Sequence, residues 1–285
     1  MQLDGNNSSA KDGAGLVTSG CNRKDSRETR PYTPHAAPMR FLKLFSIMYV
    51  TFLNDKGKQM DYPNIAQISD QLESANSRDR MVALAHLRNV PAEEAVPLIK
   101  KVLDDPSLQV RSMAVFALGV KQTDECYPIL VKLLETDPDY GIRADAAGAL
   151  GYLEDARAFE SLVRTFYEDT QWLVRFSAAV ALGNIKDPRA RQVLTKALDS
   201  EEIVVQQAAI SALGEIKAIE AVDDILRFAQ SPDWLVRQRL AEALGNLPTD
   251  KSQSALKFLA KDSHSQVAQA ASISLNRLQQ ATKPA

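Results

Sequence analysis

The sequence predicts an all-α protein, an α-solenoid of about seven short helical pairs, and three observations predict it. A block of the form Val-Arg-x-x-Ala-x-x-Ala-Leu-Gly occupies residues 110–119, 142–151 (with Ile142 first), 174–183 and 236–245 (with Leu240 at the first Ala), and returns at 205–214 with Gln206 in place of Arg. Its five glycines, Gly119, Gly151, Gly183, Gly214 and Gly245, are separated by 32, 32, 31 and 31 residues. Before each block lies a second apolar pattern at helical spacing, and between the two lies a short acidic or proline-containing turn. A period near 31 with two helices per unit is the signature of a stacked repeat array, because a single pair cannot bury both of its faces.

The first helix of each unit is predicted at 94–103, 126–134, 159–166, 193–198, 222–228 and 255–259. In the first of these Ala95, Val96, Leu98, Ile99, Val102 and Leu103 recur at the spacing of one helical face. The turns, such as Asp104-Asp105-Pro106, Asp137-Pro138-Asp139 and Ser231-Pro232-Asp233, use Pro to pre-set φ and Asp or Ser to cap the next helix. The second helix runs through the repeated block, where small alanines allow close contact. The terminal Gly is expected to take the left-handed conformation that ends a helix. Degenerate copies at Arg80…Ala83…Leu87-Arg88 and Val267…Ala271…Leu275-Asn276 bring the units to seven.

Composition agrees with a packed body. The chain has 285 residues, 45% apolar and 25% charged, with 12 Gly, 13 Pro and a formal charge of −2, which excludes a collagen-like or wholly disordered chain. Cys21 and Cys126 are too few for a disulfide framework, and with three His and no Cys-x-x-Cys pair no zinc-ligand set is recognisable. A reducing compartment is the natural reading. Residues 1–60 hold nine Lys/Arg against five Asp/Glu, and 61–285 hold 25 against 31. An acidic body argues against nucleic acid as a partner. The hydrophobic run 41–53 is 13 residues long and contains Lys43, too short for a transmembrane segment.

The chain divides at about residue 60. Residues 1–40 are rich in Ser, Asn, Gly and charge and are expected to be disordered. For 1–60 as a whole three readings stay open: a targeting peptide, an interfacial anchor formed by 41–53, or a non-native extension preceding a start at Met60. Residues 61–285 form the predicted solenoid.

At the repeated block, with Asp155-Ala156-Arg157-Ala158 and Asp187-Pro188-Arg189-Ala190 after it, the chain resembles the HEAT repeat family, specifically the short repeats of the phycobilisome-lyase-like group. The resemblance covers about 64–279. The segments 139–151 and Asp233-Trp234-Leu235-Val236-Arg237 are similar to a non-proteolytic member of that group. The resemblance implies a non-catalytic protein that engages phycobiliproteins or their bilins and helps dismantle the phycobilisome during nutrient starvation. It further implies a cytoplasmic location at the phycobilisome near the thylakoid surface, with no required cofactor and phycocyanobilin as a candidate ligand. Two alternatives stand beside it: a bilin lyase or lyase subunit, and a general protein adaptor, for example in iron–sulfur assembly.

Candidate contact residues fall into three sets. Arg111, Arg143, Arg175 and Arg237 recur at one position and form a ladder, either a strip for acidic ligands such as bilin propionates or a structural row paired with turn acids such as Asp105, Asp139, Asp169 and Asp233. Their recurrence favours architecture. Tyr140, Trp172 and Trp234 each open the second helix, at a turn expected to approach the inner surface, and serve either as anchors or as filling between pairs. Phe116, Asp145, Tyr152, Phe176, Asn184, Arg239, Glu242 and Asn246 share a helical face that varies from unit to unit, as a partner surface or a merely solvated face would. Catalytic constellations are poor. His86 and His264 lie at opposite ends, Cys126 sits on an apolar face, and the His-Glu pairs used by iron hydroxylases built on related repeats do not occur.

Overall fold

The computed structural model describes residues 63–281. The segment 1–60, with the run 41–53 and Met60, lies outside the described residues.

Asn64 and Gln67 start the helical array reciprocally. The Gln67 N–H donates to the Asn64 side chain at 2.9 Å, and the Asn64 N–H donates to the Gln67 side chain at 2.8 Å. From there the described residues form seven antiparallel pairs and no strand. The pairs are α1 (Ile65–Leu72) with α2 (Ser77–His86), α3 (Ala92–Lys100) with α4 (Leu108–Lys121), and α5 (Cys126–Thr136) with α6 (Tyr140–Leu153). They continue as α7 (Phe159–Glu168) with α8 (Trp172–Ile185), α9 (Ala190–Ala197) with α10 (Ile203–Glu215), α11 (Val222–Leu226) with α12 (Trp234–Leu244), and α13 (Asp250–Leu259) with α14 (Ser265–Ala281). The α-solenoid of seven pairs is therefore the observed fold. The sixth first helix is shorter than its apolar pattern: α11 stops at Leu226 and continues as a 3₁₀ turn, Arg227–Gln230.

One core runs the length of the stack. The third and seventh residues after the ladder position are buried in repeat after repeat: Ala114 and Leu118, Ala146 and Leu150, Ala178 and Leu182, Ala209 and Leu213, Leu240 and Leu244. The first helices supply the facing layer through Ile99, Leu130, Leu162, Leu194, Ile225 and Leu256.

The repeated glycine does not take the left-handed conformation expected of it: Gly119, Gly151, Gly183 and Gly214 lie inside their helices, and Gly245 caps α12 at φ −64°. Positive φ falls instead on Gln122, Glu154, Lys186 and Lys217, each three residues further on. The glycine is needed for the residue opposite it. A Cβ built on Gly119 would stand 2.9 Å from Ala149 Cβ, one on Gly151 3.0 Å from Ala181 Cβ, and one on Gly183 2.7 Å from Ala212 Cβ. On Gly214 and Gly245 it would stand 2.9 Å from Ala243 Cβ and 2.7 Å from Ser274 Cβ. Each second helix thus seats its glycine against a small residue of the next second helix, and the two backbones approach more closely than any side chain permits. Successive first helices meet at only a few points. The stack therefore curves with its second helices on the inside, which makes their outward positions a concave face.

Candidate functional site: the turn edge and the concave face

The ladder arginines join repeats rather than closing their own turns. Arg143 donates from Nε and Nη2 to Asp169 at 2.7 and 3.2 Å, and from Nη1 to the carbonyls of Asp137 and Pro138. Arg237 does the same to Asp262, at 2.7 and 2.9 Å, and to the Ser231 and Pro232 carbonyls. Arg80, in the degenerate first unit, binds Asp105 and the Ser74 carbonyl. Each of these arginines holds the carbonyls of its own turn and the carboxylate of the next turn, 25 or 26 residues on. The pairing with Asp139 or Asp233 of the same turn is corrected accordingly: those two carboxylates cap α6 and α12.

Two joints improvise. Arg175 meets Ser200 where the aspartate would stand and bonds Glu202 at 2.6 Å instead. Gln206 keeps the carbonyl bond, to Ser200 at 2.7 Å, but has no charge to offer Ser231. Arg111 leaves its buried Nε without a hydrogen-bond acceptor among the described residues. Arg143, Arg175 and Arg237 are thus committed to the ladder.

The same acids shape the turns that carry them. Asp105, Asp169 and Asp262 each accept the backbone N–H two residues on, at 2.8 Å. Burial works to raise the Asp105 and Asp169 carboxyls, but the arginine hydrogen bonds, those N–H groups and neighbouring arginine charge outweigh it and hold both below the ordinary value. At Asp262 the Arg237 hydrogen bond is the larger effect, and the carboxyl is again held down.

Beside the ladder runs an apolar edge. Tyr140, Trp172 and Trp234 open their second helices as expected, and Tyr140 is 50% exposed. The two indoles are half-buried against the core, and Trp234 stacks on His264 of the next turn, with rings 4.2 Å apart and 11° from parallel. Leu108 and Ile203 occupy the equivalent register, 40% and 47% exposed, and by residue type alone an aliphatic there is indistinguishable from a core position. Their common place three residues before Arg111 and Gln206 was the available signal. This edge is not the inner surface: it lies roughly 110° round the second helix from the concave positions.

The concave positions divide into two chemistries. On α4, α6 and α8 they carry Met113, Phe116, Asp145, Tyr152, Phe176 and Val180, all partly buried. Phe116 and Tyr152 meet edge to face at 5.9 Å. The Asp145 carboxylate accepts from the Ser112 hydroxyl, and burial pushes its pKa up to about 6, with Asp139 adding repulsion. On α12 and α14 the face turns polar. Arg239 pairs with Glu242 on its own helix at 2.7 Å, and Gln238 donates to the same carboxylate. An open pocket of about 450 Å³ there is lined by Gln238, Glu242, Gln266, Gln269 and Arg277, among others. Asn184 and Asn246 are partly buried, and Arg277 donates to Asn246.

Chemistry-bearing side chains do not gather. Cys126 is fully buried with Thr123 as its partner, His86 and His264 are separated by the array, and among the described residues no three His, Cys, Asp or Glu converge as metal ligands. No helix among them is long and apolar enough to cross a membrane.

The HEAT repeats family matches residues 65–147, 127–204 and 194–276. The chain is a HEAT-repeat protein. No curated protein matches its sequence. Among solved structures, this HEAT-repeat chain is similar to the CpcE and CpcF complex of phycocyanin lyase from Nostoc sp. PCC7120. The TM-score is 0.51 at 21% identity, covering 80% of this chain and 98% of that one. It is similar to YIBA_ECOLI of Escherichia coli at a TM-score of 0.51 and 20% identity, covering 83% and 88%. Human deoxyhypusine hydroxylase stands at 0.38 and 19%, covering 76% and 96%. At these identities the likeness is one of fold.

Proposed function

We propose that this HEAT-repeat protein is a non-catalytic binding protein that engages phycobiliproteins or their bilins and promotes phycobilisome degradation under nutrient starvation, in the manner of the cyanobacterial non-bleaching protein B. The observation that carries the reading is the pairing of a recurring ladder with a variable concave face, in a repeat array whose fold is similar to a phycocyanin lyase over 98% of that chain. Dispersal of His86, Cys126 and His264 supports binding over catalysis. Phe116, Asp145 and Phe176 would contact the client on the concave face, with Arg239 and Glu242 at its polar end. Tyr140, Trp172 and Trp234, joined by Leu108 and Ile203, would contact it along the edge. Binding one state of the antenna better than another would shift it toward dissociation. Phycocyanobilin is the candidate ligand, and the site of action would be the phycobilisome at the thylakoid surface.

The test is size-exclusion chromatography of the full chain with holo- and apo-phycocyanin, reading protein and bilin absorbance together. Co-elution is expected, weakened about tenfold in affinity by Tyr140→Ser with Ile203→Ser, two exposed changes that leave the core intact. Failure of both forms to co-elute would favour the general adaptor. Thioether formation or cleavage by purified components would favour the lyase.

A further inference from the structure

Asp145 is treated unlike the acids of the ladder. Asp105, Asp169, Asp262 and Glu202 all face an arginine. Asp145 keeps part of its surface open on the concave face but is crowded by protein on its other sides, and its hydrogen-bond partner is a neutral hydroxyl, that of Ser112. Beyond that hydroxyl, which favours the ionised form, no cation faces it among the described residues. The Ser112 hydroxyl faces it from α4, α8 places Phe176 and Ser177 at the corresponding register, and α5 packs through its apolar face. The ionised group acting on it is Asp139, which repels.

The surroundings have a shape that suits a particular visitor. Two contacts cross from α4 to α6 on the concave face: Ser112 to Asp145 and, one turn further along α4 and two along α6, Phe116 to Tyr152. Between Asp145 and Tyr152 stands Gly148, at the position where the adjacent second helices carry Phe116 and Val180. The concave side of α6 thus carries no side chain at this position, between a carboxyl at one end and an edge-to-face aromatic pair at the other. A carboxylate accepts a guanidinium through two parallel hydrogen bonds, and aromatic faces cover the planar group and its stem.

We propose that this stretch of the concave face, from Asp145 past Gly148 to Tyr152, receives an arginine side chain of the partner protein, with Asp145 as its counter-ion and Phe116 and Tyr152 along its stem. Charge complementarity carries the inference: a desolvated carboxyl that the array leaves uncompensated gains from a cation brought by a partner. The proposal rests on the concave face being the binding face, and it is tested without assuming the client.

The probe is acetyl-arginine amide, with acetyl-citrulline amide as its uncharged isostere. In the full chain labelled with ¹³Cγ-aspartate, the Asp145 carboxyl resonance is assigned by its loss in Asp145→Asn and titrated with pH. Saturating arginine probe is expected to lower the Asp145 midpoint by about one unit, a tenfold preference for the ionised form. The citrulline probe is expected to leave it unchanged. An unmoved midpoint, or equal shifts from the two probes, overturns the proposal. Phycocyanin co-elution of Asp145→Asn separates the two readings. A tenfold or greater loss supports both, whereas full binding by the variant leaves the client reading standing and overturns the arginine site. A probe-induced shift with no phycocyanin binding by the parent chain upholds the site and overturns the client.

Discussion

Asp169 receives two hydrogen bonds from Arg143 and the N–H of Gln171, and these hold its carboxyl below the ordinary range in the folded chain. The unfolded chain then binds the proton more readily, so the stabilisation is present above about pH 4 and is lost as pH falls through the folded midpoint. Asp169→Asn is expected to cost about 2 kcal/mol at pH 7, with the difference from the parent shrinking below about pH 4 in urea unfolding. Asp145 has the opposite sign. Its folded midpoint of about 6 lies above the ordinary aspartate value of 3.8, so the folded state binds the proton more readily and stability falls as pH rises through that window. Asp145→Asn is expected to be more stable than the parent at pH 8 by roughly 1–3 kcal/mol, with the gap closing by pH 4. A variant less stable at pH 8 would show that the Ser112 hydrogen bond outweighs desolvation.

Between helices, the closest approaches are set by glycine facing a small residue. Gly183→Ala places a Cβ 2.7 Å from Ala212 Cβ and 2.9 Å from its Cα, and neither backbone is free to withdraw. An overpacking cost of about 1–3 kcal/mol is expected, and adding Ala212→Gly should recover part of it, because one of the two clashing atoms is removed. Lys186, at φ 57°, is where an L side chain is strained. Lys186→Gly is expected to be neutral to about 1 kcal/mol stabilising by thermal unfolding, since the relief is offset by glycine's greater freedom when unfolded. These two residues show where sequence pattern stops being informative. The helices were legible because apolar spacing within 15 residues determines them. Gly183 looked like a helix terminator because its partner, Ala212, lies 29 positions on and only packing pairs them. The ladder is legible as a row from its recurrence, whereas its pairing is not: Asp139 is the acid nearest Arg143 in sequence, but the guanidinium reaches forward to Asp169 in the next repeat. On the concave face Phe116 and Asp145 could be grouped by spacing, whereas the crowding that sets Asp145 apart depends on two neighbouring helices.

Over the whole array, stability is the sum of repeats and the joints between them, so a weak joint divides the molecule. Two joints of the ladder lack an ion pair, that of α4 with α6, where Arg111 Nε finds no acceptor among the described residues, and that of α10 with α12, and the second is the weaker. Gln206 bonds its own turn but brings no charge to Ser231, and α11, the first helix beyond the joint, is five residues long before it tightens into a 3₁₀ turn. The next joint is strong again, through Arg237 and Asp262. The last two pairs are therefore bound more firmly to each other than to the five before them. Native-state hydrogen exchange is expected to show α11–α14 opening as one unit at lower free energy than α3–α10. Rebuilding the joint with Gln206→Arg and Ser231→Asp together would supply both halves of the fork, and the new Asp can accept the Asp233 N–H as Asp262 accepts that of His264. The double change should slow exchange throughout α11–α14 by about fivefold, on the order of 1 kcal/mol for a partly buried pair, and each single change should do less because it leaves a charge unpaired. Uniform protection along the parent array, with no response to the double change, would mean that coupling between repeats is carried by the glycine–alanine contacts alone and that the arginines only shape their turns.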